Sequence, residues 1–229
     1  MKRFYTDVAA LAGADGWTIA LDGRAVRTPA RLPLTLPTEA LADAIVGEWA
    51  AQGLEIKPLT MPLTGLANAA IDRVAPDRTG FARSLAAYAE TELLAYRADH
   101  PAPLVARQAA AWDPLLAWAR GRYDVAFIVT TGIVHVAQPP ATLARVGAAF
   151  THLDAFRLAA LNQAVTITGS AVIALALNEA FLDAPQAYAA GHLDELWQAE
   201  QWGSDPLAEA PRAERQANLT AAARLLALL

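Results

Sequence analysis

The feature that most narrows the fold of this chain is a proline-bounded stretch, Pro37–Val74, reading PTEALADAIVGEWAAQGLEIKPLTMPLTGLANAAIDRV. Pro37 ends whatever precedes it. Thr38 suits a helix N-cap, with Glu39 and Asp43 near the positive end of the helix. Leu41, Ile45 and Trp49 recur every fourth residue, with Ala42, Ala44 and Val46 filling the same side, which is a helical period. Gly53 stands where a C-terminal cap is expected. Pro58 and Pro62 bracket a short extended link, and a second helix is predicted from about Leu63 to Val74. The chain reads as strand before this stretch and as mostly helix after it.

Before it, Phe4–Ala10, Trp17–Leu21, Arg24–Thr28 and Leu32–Leu36 are predicted extended. Gly13-Ala14-Asp15-Gly16 is a turn, and Asp22-Gly23 signals a hairpin because glycine accepts the positive φ such turns require. The product is a small antiparallel sheet that needs the Thr38 helix as cover. After Pro76, a third helix runs from Asp77–Thr79 to Ala89. Thr91–Tyr96 fits strand or helix. Leu104–Arg120 is a helix that Pro114 should kink or divide. Val125–Val136 (VAFIVTTGIVHV) is β-branched and predicts a hairpin around Thr131-Gly132. Helices follow from Pro139-Pro140 to Asn162, over Ser170–Leu182, from Pro185 to Trp202 with Gly203 ending it, and from Pro211 to Leu229. The fold class is α+β: an N-terminal α/β domain over residues 1–75 and a mostly helical domain over 76–229.

Composition excludes several functions. A chain of 229 residues, 55% hydrophobic and 18% charged, buries a sizeable core. A net charge of −5 without a basic block argues against nucleic acid. The absence of cysteine excludes disulfides and thiolate metal sites. Ala164–Leu177 is apolar but shorter than the ~20 residues a spanning helix needs, and it reads as a core helix. The start, Met1–Asp7, lacks the pattern of a signal or transit peptide, so a cytoplasmic bacterial protein without membrane insertion is expected.

No catalytic constellation emerges from the residues. The four histidines form no metal-binding pair, and His192 with Glu195 reads as a helix-face ion pair. Thr168-Gly169-Ser170 reads as a helix cap rather than an anion site. No cofactor or metal is expected. Polar residues do stand in apolar settings: Asp22-Gly23-Arg24 at the hairpin, Glu48 beside Trp49, Arg107-Gln108 before Trp112, and the acidic-aromatic segment Leu193–Gly203. Aromatic anchors set among acids suit protein recognition.

In order and spacing, KRFY (Lys2–Tyr5), LDGRAVRTP (Leu21–Pro29), LPTEALADAIVGEWAAQG (Leu36–Gly53), PLTMPLTGLANAAIDRV (Pro58–Val74), TELLAYRA (Thr91–Ala98), RQAAAWDPLL (Arg107–Leu116), GSAVIALAL (Gly169–Leu177) and LDELWQAEQWGSD (Leu193–Asp205) cover nearly the whole chain. Together they resemble the assembly chaperones of the ATP synthase F(1) sector that hold the free alpha subunit. The resemblance implies an N-terminal α/β sandwich followed by an orthogonal helical bundle. It implies no enzyme, and the alpha subunit as partner, kept from aggregating until beta arrives. It also implies a functional acid at Asp194 or Glu195, and a packing role for Trp49. Partner contacts are accordingly expected at Asp194, Glu195, Gln198, Glu200 and Trp202, on a groove between the two parts, and structural roles at Asp22, Gly23, Arg24, Trp49 and Gly203. A monomer is expected. An enzyme using Arg24, Glu48 and Asp194, and a permanent structural subunit, are the alternatives.

Overall fold

The computed structural model describes residues 1–203 and 206–229. These residues divide into two compact units. One comprises Met1–Arg78 with Asp154–Ala160 and Arg224–Leu229; the other comprises Thr79–Leu153 and Leu161–Ala223.

The first unit holds a small antiparallel sheet of β1 (Val8–Gly13), β2 (Gly16–Leu21), β3 (Arg24–Ala25) and β4 (Thr35–Leu36). Strand β2 is central, with β1 on one side and β3 and β4 on the other. Asp22 and Gly23 both take positive φ, 48° and 76°, which is the backbone twist a two-residue hairpin needs. The Asp22 carboxylate then accepts the N–H groups of Thr6 and Asp7 at 2.9 and 2.8 Å, tying the chain start to the hairpin. Those two N–H groups hold its carboxyl below the usual carboxylate range. Gly16 sits at the turn between β1 and β2 with φ +131°, and a Cβ there would lie 2.4 Å from the Leu36 carbonyl oxygen. The crossing of β4 over this turn therefore requires glycine.

Helix α1 (Glu39–Ala50) covers the sheet. Its N-cap is Thr38, whose hydroxyl oxygen accepts the Leu41 N–H at 3.2 Å and whose hydroxyl donates to the Leu228 carbonyl at 2.5 Å. Leu41 and Ile45 are fully buried with Ile19, Leu34 and Leu36. Trp49 packs with Val8 and Val26 on a buried cluster of Tyr5, Leu21, Ile56 and Met61. The Tyr5 hydroxyl donates to the Trp49 carbonyl at 2.8 Å. Helix α2 (Pro62–Ala69) runs into a π-helical turn, Ala70–Val74. Its N-terminus has no side-chain cap of its own; the Glu48 carboxylate accepts instead from Leu63 N–H, Thr64 N–H and the Thr64 hydroxyl at 2.7, 2.8 and 2.7 Å.

The second unit is helical. Helices α3 (Arg78–Ala86), α4 (Ala102–Tyr123), α5 (Pro140–Thr151), α6 (Ala155–Thr168), α7 (Ala171–Asn178), α8 (Ala184–Gly191), α9 (Leu193–Trp202) and α10 (Pro206–Ala227) follow in order, with the first residues of α6, through Ala160, and the last of α10, from Arg224, belonging to the first unit. The whole of α7 from Ala171 to Leu177 is buried, and it packs on α4 and α8. That is the core-helix reading of the apolar run, and among the described residues no helix is long and apolar enough to cross a membrane. The fold is thus α+β, a small antiparallel sheet followed by a helical bundle.

Three expectations are corrected. Val125–Val136 forms no hairpin: its one strand, β6 (Thr130–Thr131), pairs in parallel with β5 (Tyr96–Arg97). Side chains supply the missing ladder. Gln138 accepts from Ile128 N–H and donates to Ile128 O at 2.8 and 3.1 Å, and the Thr142 hydroxyl does both for Ala126 at 3.0 Å. Pro114 does not divide α4: the carbonyl that loses its N–H donor is that of Ala110, four residues back, and both residues are on the exposed side near water. The long helices predicted over Pro139–Asn162 and Pro185–Trp202 each break once, around His152–Asp154 and at His192.

Candidate functional site

Helix α9 carries all five residues expected to meet a partner, and the structure sorts them into two groups. Leu193 is the buried anchor of the helix. Asp194, Gln198 and Trp202 fall at i, i+4 and i+8, so they share one stripe, and all three are exposed. Trp202 is 78% exposed. Gly203 follows with φ +91°, its N–H donated to Ala199 O at 2.9 Å, which ends the helix directly after the tryptophan.

Glu195 and Glu200 are engaged by arginines. Glu195 is half-buried and accepts from Arg212 Nε at 2.7 Å and from Arg215 Nη2 at 3.0 and 3.1 Å. Burial pulls its carboxyl up, but the two guanidinium groups outweigh it and hold it below the usual range. Glu200 takes Arg107 in a two-pronged pair at 2.5 and 2.7 Å, which likewise holds its carboxyl down. The same guanidinium lies over the Trp197 ring, 5.8 Å from its centroid. Trp197 therefore belongs to the anchoring side of α9 and Trp202 to the open side.

Asp194 is held differently. Its Oδ1 accepts from Gln108 Nε2 at 2.8 Å, and Gln108 is itself buried in α4, accepting the Ala98 N–H at 2.9 Å. A single neutral donor fixes the carboxylate without cancelling its charge. Trp112, buried one turn further along α4, donates its indole N–H to Ala190 O at 2.9 Å and fixes α8 ahead of α9.

One buried ionisable group, Glu92, escaped sequence reasoning, and a second, His192, is not the ion-pair partner of Glu195 that its spacing predicts, because Arg212 and Arg215 take that carboxylate. Glu92 is fully buried and caps α7. It accepts the Ser170 hydroxyl, the Ala171 and Val172 N–H groups at 2.9 and 3.2 Å, and the Leu94 N–H at 3.4 Å. Ser170 in turn accepts the Ile173 N–H at 2.9 Å, as its reading as a cap predicts. The anion at this helix N-terminus is the chain's own side chain. Burial outweighs these donors and pushes the Glu92 carboxyl up to about 7. His192, at the start of α9, stacks on Tyr188 with centroids 4.1 Å apart and bonds through Nδ1 to Tyr188 O at 3.2 Å. Its burial lowers its pKa.

Of the residues weighed for catalysis, Glu48 has both oxygens occupied at α2, Arg24 is exposed on the β3 hairpin, and Asp194 is on α9. Among the described residues no cluster of three or more His, Asp or Glu could hold a metal. Ser204 and Asp205, the last residues of the LDELWQAEQWGSD block, lie outside the described residues.

This small sheet with its helical bundle is the architecture of an assembly chaperone. Residues 2–120 match the ATP12 chaperone protein family, and the chain belongs to that family. The solved structure of Atp12 from Paracoccus denitrificans is 44% identical, with a TM-score of 0.95 over 99% of this chain and 97% of that one. A point mutant of the same Paracoccus protein gives 43% identity and a TM-score of 0.95 over the same shares. The mitochondrial protein atp12 of Schizosaccharomyces pombe is 24% identical over 215 residues, covering 89% of this chain and 74% of that protein. The chain is accordingly a chaperone of ATP synthase assembly and not an enzyme.

Proposed function

We propose that this chaperone binds the free alpha subunit of the ATP synthase F(1) sector through the Asp194–Gln198–Trp202 stripe of α9, and keeps it from aggregating until the beta subunit takes its place. The observation that carries this reading is the division of labour on α9: Glu195 and Glu200 are consumed by arginines, whereas Asp194 and Trp202 stay open on one face. An exposed tryptophan supplies apolar contact area at small entropic cost, and such residues dominate binding energy where they are buried by a partner. The carboxylate eight residues earlier adds charge. It selects a client surface with a basic residue about two helical turns from an apolar pocket, and it speeds encounter more than it tightens the complex. Moderate affinity suits a chaperone that must be displaced.

The test is light scattering of isolated alpha subunit with stoichiometric chaperone. Asp194→Lys and Trp202→Ala, both folded by circular dichroism, are expected to lose most of the suppression, about tenfold each in the concentration required. Full suppression by both variants would remove this stripe from the mechanism.

A further inference from the structure

We infer that the first unit carries a second recognition site, independent of α9, which takes an acidic segment of a partner protein in extended form. A pocket of about 610 Å³ opens beside the β2–β3 hairpin, lined by Phe4, Val26, Trp49, Arg24 and Arg27 among others. Its lining is mostly apolar, and Phe4 there is 64% exposed. Two guanidinium groups line it without a salt bridge. Arg24 and Arg27 have no carboxylate within salt-bridge distance among the described residues, although the chain as a whole carries a net charge of −5. Arg27 spends one Nη1 bond on the Arg31 carbonyl at 2.8 Å, and its remaining donors are open. Asp22, the acid among the lining residues, has one oxygen committed to the N–H groups of Thr6 and Asp7 and feels the charge of Arg24 without forming a salt bridge to it.

The occupant's chemistry follows. Two guanidinium groups with no salt bridge, set in a mostly apolar lining, select a carboxylate joined to an aliphatic group. The backbone selects a peptide over a free acid. Strand β3 is the last of the β1-β2-β3 path, and its pairing with β2 puts residues 21 and 24, and 19 and 26, in hydrogen-bonded register. The N–H and C=O of Ala25, which also lines the pocket, therefore point away from β2 and are free to pair with an extended chain. The acid would meet Arg24 and Arg27, its aliphatic neighbour would rest on Trp49, and the backbone would add to Ala25.

The site is tested by titrating the isotope-labelled full chain with the blocked peptide Ac-Leu-Asp-Val-NH2 and with its Asn counterpart, following the Trp49 indole and Ala25 amide resonances. Saturable shifts at these two groups are expected, with at least tenfold weaker binding for the Asn peptide and for Arg24→Glu. The Arg24 side chain makes no hydrogen bond within the described residues, so the fold is expected to tolerate the change. Arg24→Gln, which removes the charge without reversing it, should fall between Arg24→Glu and the parent. Equal binding of both peptides, shifts confined to the second unit, or saturation by decanoate with none by the peptide would each overturn the proposal.

Discussion

Gln108 is the buried hinge-pin of Asp194: one amide accepts the Ala98 N–H and donates to the Asp194 carboxylate, at 2.9 and 2.8 Å. Asp194 is thus oriented by a neutral group from inside, while Glu195 beside it is bound by two cations. Adjacent acids on one helix have different physical jobs, and they should fail differently.

Asp194→Ala removes one acceptor from a buried amide that keeps its other partner, so the stability loss is expected at about 1 kcal/mol. Glu195→Lys places a third cation beside Arg212 and Arg215, and should lower the melting temperature more than Asp194→Lys does. Thermal denaturation of both lysine variants checks the order; a reversal would mean that Asp194 is the structural acid.

Glu92 gives an acid-side signature. Its folded pKa lies near 7, above the ordinary 4.5 it regains on unfolding. The folded state then holds the extra proton between those values, so its contribution is full below about 4.5 and is lost as pH rises to about 7. The loss is on the order of 3 kcal/mol. Glu92→Gln should flatten that slope in a pH series of chemical denaturation. It should also cost stability throughout, about 1–3 kcal/mol, because an amide nitrogen then faces N–H donors.

His192 acts in the opposite sense. Burial lowers its pKa below the ordinary 6.5, helped by Arg215 and Arg212 and opposed by the Tyr188 carbonyl and Glu195. The unfolded chain takes up the proton first, so its contribution is present above about 6.5 and is lost as pH falls through the folded value. His192→Gln should remove this acid-side decline without touching the slope that belongs to Glu92.

Helix packing gives a steric prediction. A Cβ on Gly191 would lie 2.7 Å from Thr168 Cβ and 2.8 Å from its Cγ2, so Gly191→Ala should destabilise by about 1–3 kcal/mol. Gly47, inside α1, has nothing within 4 Å of an added Cβ. Gly47→Ala should instead stabilise by up to about 1 kcal/mol, through the helical preference of alanine. Matching melting shifts for the two would contradict the packing described.

What the sequence made legible was local. The Asp22-Gly23 hairpin, the Thr38 and Ser170 caps and the stop at Gly203 each depend on residues within a few positions, where turn and cap chemistry acts. The candidate site was legible only as a list. Nothing near α9 announces that Arg107, 93 residues before Glu200, would claim that acid, or that Arg212 and Arg215 would claim Glu195. Glu92 gave no signal because its helix begins 78 residues later at Ser170. Val125–Val136 was misread for a related reason. Its β-branched residues do favour extended backbone, but Gln138 and Thr142 satisfy that backbone in place of a second strand.

The Thr38 hydroxyl reaches across 190 positions to the Leu228 carbonyl, and Arg224–Leu229 belongs to the same unit as the first seventy-eight residues. On the ribosome, then, the portion made earliest is the portion finished last, since its closing segment is still untranslated while the intervening helices emerge. A nascent chain halted before Arg224 should leave that opening portion sensitive to protease, and release of the full-length product should protect it.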